Sequence, residues 1–170
     1  MHLEVVASAK LQDLDGFLRG IWLECCGHLS AFTIEGKRYV SEVAENFLFD
    51  FGLEEQDMSV RIGDVLRTGI SFDHEYDFGT TTELALRVVS ERKGEPVNKP
   101  IQIMARNDPP LITCCVCGKI ATKVCTQCIY DGEGWLCNKC ARGHKCGEEM
   151  LLPVVNSPRV GMCGYTGGGE

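Results

Sequence analysis

What the sequence lacks narrows its class first. No apolar run approaches the roughly 20 residues that a helix needs to span a bilayer. Residues 1–11 mix polar and apolar side chains with no basic flank and no continuous apolar region, so no secretory signal is expected. The expectation is a soluble cytoplasmic protein with no membrane partner. There is also no nucleophile elbow, no phosphate-binding glycine loop and no H-E-x-x-H. No reaction is named, and no catalytic residue or organic cofactor is expected. A basic surplus is missing as well, the formal net charge being −7. All of it lies in residues 1–107, with 11 Lys/Arg against 18 Asp/Glu, while residues 108–170 carry 6 of each. Nucleic-acid binding would have to work against that field, so a protein partner ranks first and nucleic acid second.

Cysteine, by contrast, is plentiful, at 11 of 170 residues. Three C-x-x-C pairs, Cys114/Cys117, Cys125/Cys128 and Cys137/Cys140, fall in one window and are followed by His144 and Cys146. Each pair can turn two thiolates toward one tetrahedral ion, and eight ligands close two Zn²⁺ sites with no position left for substrate. Such sites are structural. Buried free thiols do not account for the repeated spacing, and disulfides do not suit a reducing cytosol. An iron–sulfur centre and redox dithiols are the competing chemistries. Two pairings are open: the first and third pairs share an ion while the second joins His144 and Cys146, or the first two pairs share one. Cys163 is the alternative eighth ligand in place of Cys146, and Cys115 reads as a spare thiol. The segment resembles a B-box or MYND-type finger, in which the interleaved pairing is the rule, although His144-x-Cys146 is tighter than that pattern.

Residues 1–107 read as a small α+β domain with a packed core. Leu3 to Ser8 suits a strand. Leu11, Leu14, Phe17, Leu18, Ile21, Trp22 and Cys25 repeat at helical spacing, with Asp13, Asp15 and Arg19 on the opposite side and Gly27 as the stop. At this spacing Trp22, Cys25 and Cys26 read as core and not as a ligand pocket. Two strands flank the turn Glu35-Gly36-Lys37. The acidic stretch Glu42 to Gln56, with Phe47-Leu48-Phe49, has no clear assignment. Asp57 or Ser59 is expected to cap a short helix through Ile62, Val65 and Leu66 that closes at Gly69. Phe72, His74, Tyr76 and Phe78 then alternate with Asp73, Glu75 and Asp77, a strand whose acids form its solvated face. A hydrolase built on Asp73, Glu75, Asp77 and His74 is the weakest of the functional alternatives. Strands are also expected at Glu83 to Glu91 and Pro100 to Arg106. Asn107-Asp108-Pro109-Pro110 marks a boundary.

The motif Gly69-x-x-Phe72-x-x-x-Tyr76-Asp77-Phe78-Gly79, with the His28-Leu29-x-x-Phe32 step and Ile62-x-Asp64-Val65-Leu66, resembles the plasmid pRiA4b ORF-3-like family. The resemblance covers most of residues 1–107 and implies an α+β domain of no established activity, associated with mobile elements. The tail from Asn156 to Tyr165 looks like a variant of the family's closing segment. The sequence departs from the pattern after Gly79, where Thr80 to Leu84 stand in place of an acidic residue, a Trp and a His. The expected organisation is a pRiA4b-like domain over 1–107 and the cysteine-rich finger over 108–150. A closing segment over 151–170 would pack on the first domain and end in a disordered Gly-rich tail. The expected function is a zinc-binding, non-enzymatic interaction module, with a nucleic-acid-binding accessory protein as the alternative. Lys119, Lys123, Lys139, Arg142 and Lys145 would have to form one patch for the latter.

Overall fold

The computed structural model describes residues 1–42, 55–94 and 99–168. Phe47-Leu48-Phe49 and the terminal Gly169 and Glu170 lie outside them. The chain is α+β and divides into two compact units, Met1–Arg19 with Gly27–Arg106, and Gly20–Cys26 with Asn107–Glu170. Among the described residues no helix is long and apolar enough to cross a membrane.

In the first unit β1 (His2–Val5) pairs antiparallel with β7 (Ile101–Ala105). The remaining strands form one five-stranded sheet: β2 (Ser30–Ile34), β3 (Lys37–Val40), β4 (Glu55–Asp57), β5 (Ser71–Tyr76) and β6 (Thr82–Arg87), in the order β4-β3-β2-β5-β6. Among the described strands only β3 and β4 pair in parallel. The β2–β3 hairpin turns on Glu35 and Gly36, both at positive φ (48° and 80°), the backbone pair whose twist suits a two-residue loop.

Strand β5 shows how the sequence dictates the sheet's two faces. Phe72, His74 and Tyr76 are buried, whereas Asp73 is exposed and Glu75 half-buried. Phe32 of β2 stands opposite His74, their rings 4.6 Å apart. Asp77 departs from the expected solvated row. It lies past the strand at φ 64°, is 6% exposed, and accepts hydrogen bonds from the Gly79 and Thr80 amides. Its side chain terminates the strand because its oxygen supplies the acceptor that the turn needs.

Helix α1 (Leu11–Leu18) opens with the Lys10 amide donating to the Asp13 carboxylate at 2.8 Å, and buries Leu11, Leu14 and Leu18. Each of these leucines contributes about 2 kcal/mol through removal of its side chain from water. The helix is shorter than the apolar periodicity suggests. From Arg19 to Leu23 the chain takes a π-helical turn, whose extra residue rotates the face, so that Leu23 is buried where the repeat would place Trp22. The second correction concerns Asp15, which is not on the water side. It is 6% exposed, accepts the Nε2–H of fully buried His74 at 2.7 Å, and lies 3.6 Å from Arg19 Nη1. Arg19 in turn stacks over Tyr76, 5.2 Å from its centroid. An acid is tolerated at this core position because a sheet histidine and a helix arginine both reach it.

The short helix α2 (Ile62–Val65) starts after Arg61 with no side-chain cap. Asp57 instead accepts the Ser59 amide at 2.6 Å, and hydrogen bonding from Ser59 holds its carboxyl below the ordinary value. Gly69, at φ 93°, turns the chain toward β5 three residues after the helix has ended at Leu66.

His74→Ala would leave the Asp15 carboxylate in the core with one partner fewer, and the expected cost is about 3 kcal/mol. Asp15→Asn keeps an acceptor for Nε2–H and is expected to cost about 1 kcal/mol. Urea denaturation read by amide exchange in β5 measures both, and equal costs would contradict the buried-pair account.

Candidate metal centres

The second unit carries little regular structure. Strands β8 (Lys123–Cys125), β9 (Trp135–Leu136) and β10 (Leu151–Pro153) form an antiparallel sheet ordered β10-β8-β9, and α3 (Asn138–Ala141) is a single turn. These short elements serve to place ligands. Cys125 ends β8, and Cys128 opens a 3-10 turn (Cys128–Asp131). Cys137 follows β9 directly and Cys140 lies in α3. The loop at Cys114–Cys117 is closed by Gly118, at φ 70°, whose amide donates to the Cys114 carbonyl at 2.9 Å. Gly134 sits at φ 99°, and a Cβ there would lie 3.0 Å from the Ile129 nitrogen and 3.1 Å from the Cys128 Cβ, so the backbone can pass the second knuckle only as glycine.

The ligand atoms gather in two tetrads. Cys114, Cys117, Cys137 and Cys140 form one, Cys125, Cys128, His144 and Cys146 the other, and within each all ligand atoms lie within 4.8 Å of one another. The pairing is interleaved. Four sulfurs about 2.3 Å from one ion stand about 3.8 Å apart at tetrahedral angles, and a sulfur and an imidazole nitrogen about 3.6 Å apart. The Sγ atoms of Cys117 and Cys137 are 3.6 Å apart, and those of Cys140 and Cys117 3.7 Å. In the second tetrad Cys128 Sγ lies 3.6 Å from Cys146 Sγ and 3.5 Å from His144 Nε2. Both donor sets therefore fit a tetrahedral ion, and both groups could hold a metal.

Backbone amides prepare these thiols for ionisation. The Cys137 amide leads the donors that lower Cys114 to about 6, with those of Val116 and Cys117 adding to it against the effect of burial. Burial acts to raise Cys125, but the amides of Cys128 and Gln127 and the His144 ring outweigh it and bring the thiol to about 7. Cys137 is lowered chiefly by the Cys140 amide at the start of α3. Their neighbours move the other way, since the thiol contact with Cys117 pushes Cys140 up to about 12 and that with Cys146 pushes Cys128 up to about 11. Sulfurs this close cannot all carry charge unless a cation stands between them, and a dication at the centre removes that conflict.

The other sequence candidates fall elsewhere. Cys115 is exposed and belongs to neither tetrad. Cys163 is not in the second tetrad, where Cys146 supplies the sulfur; its own Sγ is 3.6 Å from Cys26. Asp73, Glu75, Asp77 and His74 do not converge. Asp73 faces outward, Glu75 is held by Arg38 at 2.7 Å, Asp77 caps its own turn, and His74 points into the core at Asp15. A hydrolytic site built on these four is not assembled. Sequence reasoning missed Asp15 as the partner of His74, because an acid on a helix gives no local sign of a sheet residue 59 positions away.

No family model, curated protein or solved structure matches the chain.

Gly134→Ala is expected to weaken metal binding at Cys125/Cys128/His144/Cys146 about tenfold through backbone strain and to spare the other tetrad. Competition with a chromophoric chelator, resolved into two phases, measures this. Acid should release metal as well. Because the Cys114 value is depressed, the stabilisation it gives is complete above about pH 9 and lost as pH falls through about 6, and a bound dication moves the lower edge further down. Metal release on titration from pH 8 to 4 is the expected course, and indifference to pH would contradict thiolate ligation.

Proposed function

We propose that this is a zinc-binding protein whose second unit is a non-enzymatic protein-interaction module. The observation that carries the reading is the pair of closed tetrads: every tetrahedral position is taken by a protein sulfur or nitrogen, leaving none for water or substrate. Soft thiolates with one imidazole select zinc over hard cations. The metal here takes the place of a core that the short β8–β10 sheet could not supply. For recognition, Leu111, Val116, Ile120 and Tyr130 stand 62–83% exposed on this unit and are the apolar side chains it offers to a partner. We further propose that the first unit is a pRiA4b ORF-3-like domain, on the strength of the Tyr76-Asp77-Phe78-Gly79 turn and the helix at Ile62. We place the protein in the reducing cytoplasm, where its cysteines stay reduced and available as ligands.

The alternative, an accessory protein that binds nucleic acid, has one observation in its favour. Lys123 and Arg142 line the same shallow depression, but Glu148 shares it and offsets part of their charge.

Elemental mass spectrometry on protein purified without added metal is expected to find at least two zinc ions per chain, and Cys137→Ser and Cys146→Ser are each expected to remove one. Iron, or no metal, would overturn the assignment. A photo-crosslinking residue at Ile120 is expected to capture polypeptide in cells. Capture of DNA or RNA, with binding that weakens steeply as salt rises, would move the protein to the alternative.

A further inference from the structure

Three cysteines outside both tetrads meet in the second unit. The Sγ atoms of Cys25, Cys26 and Cys163 lie within 4.8 Å of one another, with Cys25 to Cys26 at 3.5 Å and Cys26 to Cys163 at 3.6 Å. These are the separations found in the two tetrads, and they match thiolates sharing a tetrahedral ion. No disulfide joins them.

We propose that Cys25, Cys26 and Cys163 form a third site for a soft divalent cation, zinc by its donor chemistry. The site rests on the zinc reading of the tetrads only for the choice of ion. Three features of the chain around these sulfurs support it. Cys163 is held at φ 45°, a left-handed conformation that a cysteine adopts at a cost, between Gly161 at φ 81° and Gly164 at φ 70°. The backbone is thus bent so as to present this one side chain. Arg159, fully buried, directs Nη2 to Cys25 Sγ at 3.6 Å. Its N–H is placed to donate to that sulfur, as outer partners of metal ligands do. Arg159 is positioned in turn by Ser157, whose Oγ accepts the Arg159 amide at 2.8 Å and donates to the Trp22 carbonyl at 2.6 Å. The segments that carry the three thiols are therefore tied together independently of the sulfurs. Three sulfurs leave one tetrahedral position for a further ligand.

The test is the metal count by native mass spectrometry on the full chain, purified under reducing conditions with no metal added. Three zinc ions per chain are expected, falling to two in the double variant Cys26→Ser/Cys163→Ser. Both replaced residues are exposed, so the fold should tolerate the change. Two ions in both proteins would overturn the third site and leave the tetrads standing, and no zinc in either would overturn the reading of the tetrads themselves. Brief alkylation of the unmodified protein, mapped by peptide, needs no variant. Rapid labelling of Cys115 alone is expected. Labelling of Cys26 and Cys163 as fast as Cys115, or a Cys26–Cys163 disulfide in the intact mass, would overturn the proposal.

Discussion

The organisation of the second unit depends on one electrostatic problem. Its eight candidate ligand residues lie within 33 positions of sequence, and neighbouring sulfurs come within about 3.7 Å of one another. At that spacing like charges repel strongly in a partly dry interior, and the thiols split into lowered and raised members, Cys114 against Cys140 and Cys125 against Cys128. A central dication turns the repulsion into attraction for every sulfur at once. The local structure reads as preparation for that step: knuckle amides aimed at Cys114 and Cys125, the first turn of α3 aimed at Cys137, a glycine at positive φ closing the first knuckle at 118, and another at 134 where a Cβ would crowd the Cys128–Ile129 backbone. Packing plays the smaller part. The buried cluster of Cys114, Leu136, Cys137 and Ala141 is itself half ligand.

The first unit solves the folding problem by the opposite means. Its five-stranded sheet and α1 bury a conventional set of Leu, Phe and Tyr side chains, and the polar pair at its centre, Asp15 with His74, is joined through His74 Nε2, while the buried Nδ1 has no hydrogen-bond partner. A buried polar pair of this kind is weak evidence for added stability, since apolar residues of equal volume often do as well. What the pair does supply is direction. One hydrogen bond fixes the rotation of α1 against β5, and Arg19 extends the same link to the ring of Tyr76.

How much of this was legible depended on how local each signal is. The knuckles were legible because a C-x-x-C pair is written in four consecutive residues; their spacing left two pairings open, and only the finger resemblance pointed to the interleaved one. The β2–β3 hairpin is equally local, in Glu35-Gly36, and so is the alternation of Phe72, His74 and Tyr76. Signals that depend on distant residues were lost. Asp15 looked solvated because helical periodicity cannot reveal a sheet partner, and Asp77 looked solvated because strict alternation was carried one residue past the end of the strand. The apolar repeat from Leu11 to Cys25 suggested one continuous helix, since a π-helical turn changes the period without changing the composition. Cys25 and Cys26 were absorbed into that false stripe. Cys163 was weighed only as a substitute for Cys146, its nearest neighbour in the sequence.

The separation of Cys26 from Cys163 also sets what a metal between them could do. The tetrads close short loops: Cys117 and Cys140 are 23 positions apart, whereas Cys26 and Cys163 are 137 apart. Loop-closure entropy grows with the logarithm of length, so a clip across the longer span removes more freedom from the unfolded chain, by about 1.5 kcal/mol at equal bond strength. The tetrads give the finger its shape. An ion on Cys25, Cys26 and Cys163 would instead hold the segment 20–26 to a unit whose other residues all come from 107 onward. Ser157 and Arg159 already make that connection through the Trp22 carbonyl and the Cys25 sulfur. Since these contacts set the two segments before any metal arrives, the ion would bind a largely formed site, and its binding energy would go into stability and not into ordering the chain.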